Sequence, residues 1–148
     1  MTYIRELLPT AADRLITIEQ SDTVVKAAGL LGNANTALVI VCDPEGLICG
    51  VISKADIVRQ ISYCTGCSCT ENVSDIMTRD VIACRPDDRL KDVWTIMREH
   101  GLKQIPVQDT AMRPLGLLYA SDALETLLKE VKHQELMLRD YVMGTGYR

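Results

Sequence analysis

The residues of this chain best placed for chemistry fall in Gly50-Val51-Ile52-Ser53-Lys54-Ala55-Asp56. An apolar run from Leu47 to Ile52 reads as a buried strand, and beyond Ser53 the side chains of Ile57, Val58 and Ile61 fall at helical spacing. A hydroxyl and a carboxylate three residues apart at a strand-to-helix step suit two tasks. In a capping box, Ser53 caps the helix and Asp56 reaches back to the backbone N–H. In a nucleotide site, the free N–H groups and the positive helix end attract phosphate, and the carboxylate accepts both hydroxyls of a ribose. Alone, the motif favours the cap, because Ser/Thr-x-x-Asp/Glu is a common pattern.

A second chemistry lies in Cys64-x-x-Cys67-x-Cys69, three thiols on a Gly-, Ser- and Thr-rich loop. A CxxC turn brings two sulfurs to one zinc or iron ion, at about 2.3 Å for zinc. A tetrahedral site needs a fourth ligand, from Cys84, His100, water or another subunit. The pair could instead form a reversible disulfide, or stay as reduced thiols on a linker. Cys42 and Cys49 sit on strand-like runs and read as small buried hydrophobes. His100 and His133 form no cluster. The sequence shows no nucleophile–base pair, no paired catalytic carboxylates and no P-loop, which argues against an enzyme.

These groups need elements to position them. Residues 1–14 read as a loosely ordered lead-in, with one helical turn from Ile4 to Leu8 ended by Pro9. Leu15 to Ile18 is β-type. Val24, Ala27, Ala28 and Leu31 form one apolar helical stripe, ended by Asn33 or Asn35. Ala37 to Cys42 and Leu47 to Ile52 pair across the turn Asp43-Pro44-Glu45-Gly46, and a helix follows to about Tyr63. The same order then recurs. Val81 to Cys84 is β-type, and Leu90, Val93, Trp94 and Met97 form a helix stripe stopped by Gly101. Gln104 to Val107 and Leu115 to Tyr119 are strands, and Asp122 to Val131 is a helix. His133 to Met143 can continue as an amphipathic helix. Trp94 reads as core or dimer interface.

A shift of 66 residues lays Leu15–Ser62 on the second half without a gap: Ile16 on Ile82, Asp22 on Asp88, Gly50 on Gly116, Asp56 on Asp122. The chain is therefore read as two copies of one βαββα unit, an α+β fold packed face to face with pseudo-twofold symmetry. The expected segments are a lead-in at 1–14, a first repeat at 15–63, a Cys-containing linker at 64–79, a second repeat at 80–132 and a C-terminal helix or tail at 133–148. At 148 residues, 47% of them apolar and 24% charged, the chain can bury a real core. A net charge of −4 without clustered Lys or Arg disfavours nucleic acid and anionic membranes as partners. The longest apolar run, Ala37 to Cys42, is too short to span a bilayer, and Met1–Arg14 lacks the apolar core of a signal peptide. A cytoplasmic protein with reduced thiols is the expectation.

A tandem βαββα repeat with Gly-x-x-Ser/Thr-x-x-Asp at its final strand-to-helix step resembles the CBS-domain pair, or Bateman module. Asp75-Ile76-Met77-Thr78-Arg79-Asp80-Val81, which leads into the second copy, and Leu102-Lys103-Gln104-Ile105-Pro106-Val107, which opens its second strand, add to the resemblance. The ending Asp140–Arg148 looks like the tail of small stand-alone bacterial members. The resemblance implies a regulatory module that needs no cofactor and binds AMP, ADP, ATP or another adenosyl ligand in clefts between its repeats. It also implies a homodimer whose geometry signals to a separate client protein.

Carried over by residue, the resemblance places a first cleft at Gly50, Ser53 and Asp56, with Ile16, Thr17, Thr36, Ala37 and Leu38 as adenine walls. Ile40 departs from the pattern where the second copy has Pro106. A second, weaker cleft takes Gly116 and Asp122, with Ile82, Ala83, Cys84, Lys103, Gln104 and Pro106 around it. There Tyr119 replaces the phosphate-side hydroxyl, and Asp122 serves either a ribose or its own helix cap. The rival readings are a thiol-based metal or redox module on Cys64, Cys67 and Cys69, and a dimerising adaptor that binds no ligand.

Overall fold

In the computed structural model, residues 1–33, 36–63 and 71–146 are described. Cys64, Cys67 and Cys69 lie outside them, as does Asn35. The first repeat contains β1 (Thr17–Glu19), α2 (Val24–Asn33), β2 (Leu38–Cys42), β3 (Ile48–Ser53) and α3 (Lys54–Ser62), after a short helix α1 (Leu8–Asp13). The second contains α4 (Leu90–His100), β4 (Gln104–Gln108), β5 (Pro114–Tyr119) and α5 (Ala120–Gly146). In the first sheet β2 is central, parallel to β1 and antiparallel to β3; β4 and β5 form an antiparallel pair. Gly101 ends α4 in the left-handed conformation (φ 65°), the role its position predicts.

Val24, Ala27 and Leu31 of α2 are buried, as are Leu90, Val93 and Met97 of α4, so both helix stripes face their sheets. Between the sheets, Ile40, Cys42, Ile48 and Leu117 form a separate buried cluster. This is the face-to-face packing that the repeat implies. The outer face of α3 departs from expectation: Val58 and Ile61 are 65% and 64% exposed, so only Ile57 of that trio is core.

The lead-ins are exchanged. Ile4, Leu7 and Ala11 are buried in the core of the second repeat, with Leu90, Val93, Met97 and Leu118. Backbone bonds seal this docking, with Ile4 N–H donating to Asp88 C=O at 3.0 Å and Leu90 N–H to Thr2 C=O at 2.9 Å. Reciprocally, Val73 and Met77 are buried in the core of the first repeat, with Ile18, Val39 and Ile52. The lead-in is thus ordered core rather than loose chain. The helical turn read at Ile4–Leu8 is present as a 3-10 turn, Ile4–Leu7, but Pro9 does not break the chain after it; it occupies the first turn of α1, where its missing N–H is no loss.

One further expectation changes, and one is met. The strand read at Val81–Cys84 shrinks to one parallel bridge, Cys84 to Val107. In the first repeat Ile40 N–H donates to Ile16 C=O at 2.9 Å and extends the pairing. The equivalent residue, Pro106, has no N–H to give Ile82. At the C-terminus α5, 27 residues in all, continues unbroken past residue 132 through His133–Met143, because neither Gly nor Pro interrupts it before Gly144.

Candidate functional site

Ser53 ends β3 in extended conformation, and its hydroxyl accepts the Asp56 N–H at 3.2 Å, which starts α3. Asp56 Oδ2 in return accepts the Ser53 N–H at 2.9 Å and the Ser53 hydroxyl at 3.1 Å. The capping box is therefore formed. Asp56 is a buried carboxylate, and its Oδ1 accepts Arg59 Nη1 at 3.2 Å. A carboxylate offers about four lone-pair sites, so these three bonds leave capacity for another donor.

A cavity of about 520 Å³ opens on this step. Its walls come from both repeats. Ala37, Leu38, Val51, Ser53, Lys54, Ala55 and Asp56 belong to the first; Val81, Ile82, Gly101, Leu102, Lys103, Gln104 and Pro106 belong to the second, and Thr78 and Asp80 to its approach. The volume falls in the range of about 300–1,000 Å³ usual for small-molecule sites. Lys54 and Lys103 balance Asp56 and Asp80 in formal charge.

The site residues are therefore regrouped. Ala37, Leu38, Ser53 and Asp56 of the first set share one cavity with Ile82, Lys103, Gln104 and Pro106 of the second. The other members of the first set lie elsewhere. Ile16 packs against the first core, Thr17 lines a separate surface cavity, and Thr36 is buried beside Tyr119, their hydroxyls 3.1 Å apart. The cause is the pseudo-twofold packing: a cleft between repeats takes its helix N-terminus from one copy and the facing wall from the other. Val51, Lys54, Ala55, Thr78, Asp80, Val81, Gly101 and Leu102 were not among the expected residues. For Thr78, Asp80, Val81, Gly101 and Leu102, assigning walls crosswise between copies was the available signal; Val51, Lys54 and Ala55 lie within the Gly50–Asp56 stretch itself.

Gly50 and Gly116 do not line this cavity; they are where the exchanged lead-ins cross. A Cβ on Gly50 would stand 2.5 Å from Met77 Sδ, and one on Gly116 2.7 Å from the Ala11 carbonyl carbon. Ala11 and Met77 are themselves one repeat apart. Of the remaining second-set residues, Ala83 is half-buried beside Cys84, and Cys84 is core. Burial and the nearby Asp88 push the Cys84 thiol up to about 12, so it is neutral and chemically quiet. Burial likewise raises Cys42 and Cys49. Tyr119 and Asp122 are engaged within the chain: Arg14 Nε lies 2.9 Å from Asp122 Oδ2, and the Arg14 guanidinium stacks over the Tyr119 ring. Among the described residues no three His, Cys, Asp or Glu side chains gather as for a metal. Among them, too, no helix is long and apolar enough to cross a membrane.

Two βαββα units with exchanged lead-ins and a shared cleft define a tandem-repeat module of the α+β class. The CBS domain model matches residues 4–63 and again residues 73–129, so the chain belongs to the CBS-domain family as a tandem pair, a regulatory module. The CBS-domain containing protein ATU1752 of Agrobacterium tumefaciens has a similar fold, with a TM-score of 0.72 at 23% identity over 84% of this chain and 92% of that one. A CBS domain pair solved in complex with 5′-methylthioadenosine and S-adenosyl-L-methionine also matches at TM-score 0.72, with 22% identity over 88% of this chain and 98% of that one. Among curated proteins, the homoserine O-acetyltransferase of Methanohalophilus mahii is 25% identical over 112 residues, 76% of this chain but 22% of the enzyme. The chain thus spans about a fifth of that enzyme's length.

Proposed function

We propose that this chain is a sensor that binds one adenosine-type ligand between its repeats, in the cleft of Ser53 and Asp56, and acts by binding rather than by catalysis. The observation that carries the reading is the joining, in one cavity, of a buried carboxylate at a helix N-terminus with an apolar wall from the other repeat. Asp56 receives a ribose hydroxyl. The first N–H groups of α3, with Lys54 and Lys103, face the polar tail of the ligand. Leu38, Val81, Ile82 and Pro106 pack on the base. The adenosyl ligands of the similar CBS pair support this class of ligand.

Because the cleft spans both repeats, a ligand that fits one relative placement better shifts the module towards it. Val25, Val58 and Ile61, exposed on α2 and α3, offer apolar surface for a second copy, whose geometry then passes the signal to a client protein.

Calorimetric titration with AMP, ADP, ATP, S-adenosylmethionine, 5′-methylthioadenosine and NAD tests the proposal, with light scattering for the dimer. At least one ligand is expected to bind, and Asp56→Ala to weaken it tenfold or more. Binding by none of them, or unchanged binding by a folded Asp56→Ala protein, would sink the reading.

A further inference from the structure

The two clefts differ most at a residue the repeat aligns. Arg14 and Asp80 are one shift of 66 residues apart, each just before the β-type run of its repeat. At the Asp56 cleft the position is Asp80, which lines the cavity and has the same sign as Asp56, so it leaves that carboxylate free of a partner from the lead-in. At the Asp122 cleft the position is Arg14. Its Nη2 donates to Asp122 Oδ1 at 3.4 Å, and its Nε stands 2.9 Å from Oδ2 without its N–H pointing there, so one hydrogen bond and one ion-pair contact hold the carboxylate.

The same guanidinium lies 4.1 Å above the Tyr119 ring. Tyr119 stands where the other copy has Ser53, and its hydroxyl lies 3.1 Å from that of Thr36. The Thr36 hydroxyl also lies 3.2 Å from Leu38 C=O, so this pair of hydroxyls is tied to the backbone at the start of β2. The carboxylate and hydroxyl equivalent to the ligand-facing pair of the first repeat are thus both held by side chains from distant parts of the chain, whereas Ser53 and Asp56 are held by each other and by Arg59 on the same helix turn. The wall behind them is also zipped, by Ile40 N–H to Ile16 C=O, whereas Pro106 leaves its counterpart open.

We infer that Arg14 is the specificity-determining residue for stoichiometry: it occupies Asp122 in place of a ribose, over the Tyr119 ring, so that the module takes one adenosine-type ligand per chain. This rests on the ligand-binding reading of the Asp56 cleft. A ligand entering at Asp122 would have to break the ion pair, the stacking and the hydroxyl contact together. It would also take from the guanidinium both its carboxylate and its aromatic face.

The test compares wild-type protein with Arg14→Ala and with Arg14→Ala/Tyr119→Ser, which rebuilds the hydroxyl of the first cleft. All three are titrated with the six ligands above. Wild-type protein is expected to bind one equivalent, and the double variant two, with the added equivalent removed by Asp122→Ala. A ligand-free double-mutant cycle in urea, Arg14→Met against Asp122→Asn, accompanies it. The cycle is expected to show a coupling of about threefold or more in the unfolding equilibrium constant. Ligand binding at the Asp56 cleft together with no coupling, with two equivalents on the wild-type protein, or with one equivalent on a folded double variant overturns this inference alone. Binding by neither protein overturns the ligand reading, and this inference with it.

Discussion

Asp56 and Asp122 occupy equivalent places in the repeat and have different partners: a helix cap and Arg59 for one, the lead-in arginine for the other. Residues that repeat in sequence therefore need not repeat in chemistry: Asp56 finds its partners within its own helix turn, and Asp122 finds one 108 residues away. The motif glycines show the same crossing, and they separate in cost. A methyl at Gly50 meets chiefly the flexible end of Met77, although the Thr78 carbonyl oxygen stands at 3.0 Å; a methyl at Gly116 meets the Ala11 backbone at 2.7 and 2.9 Å. Overpacking typically costs about 1–3 kcal/mol. Gly116→Ala is expected at the upper end and Gly50→Ala at the lower, by urea unfolding. Met77→Ala should recover part of the Gly50→Ala loss, whereas no side-chain change at position 11 should rescue Gly116→Ala. Equal costs with no rescue would show that the lead-ins do not cross there. Ser53 and Asp56 were legible as a pair because a capping box is local. The crossing was not, since no spacing along the chain encodes which copy a lead-in joins.

At the scale of elements, apolar periodicity located α2, α4 and the paired strands well. It failed where a segment is too short to show a period. Residues 1–14 contain only Ile4, Leu7 and Ala11 as buried apolar side chains, and Pro9 among them reads as a break. Yet Ile4 has no exposed surface and sits in the core of the second repeat. Truncating a fully buried Ile or Leu to Ala costs about 2–5 kcal/mol. Ile4→Ala is therefore expected to destabilise the protein by about 3 kcal/mol in urea unfolding, far more than a change in a loose lead-in. A loss below about 0.5 kcal/mol, as is usual at surface sites, would place the lead-in outside the core. Pro106 gave the opposite failure. The sequence placed it in the motif at the second-strand wall, with Ile40 as the departure, but its effect fell on the neighbouring run, which loses strand pairing because proline has no N–H to donate.

For the whole molecule, the exchange makes each core incomplete without residues from the other half of the chain. Val73 precedes the second repeat but is fully buried in the first core, as Ile4 precedes the first repeat and completes the second. Two cores that share their staples should unfold together, as small two-state domains do. Trp94, the single tryptophan, packs on the second core and reports its unfolding by fluorescence. Val73→Ala opens a cavity in the first core at a cost of about 2 kcal/mol. The urea midpoint seen by Trp94 is then expected to fall with the midpoint seen by circular dichroism, with the slope m unchanged. A Trp94 midpoint that stays in place while circular dichroism splits into two steps would mean that the repeats fold separately. A cleft between independently folding repeats would lack the fixed walls from which a ligand could bias the module, so coupled unfolding is the physical precondition for sensing at Asp56.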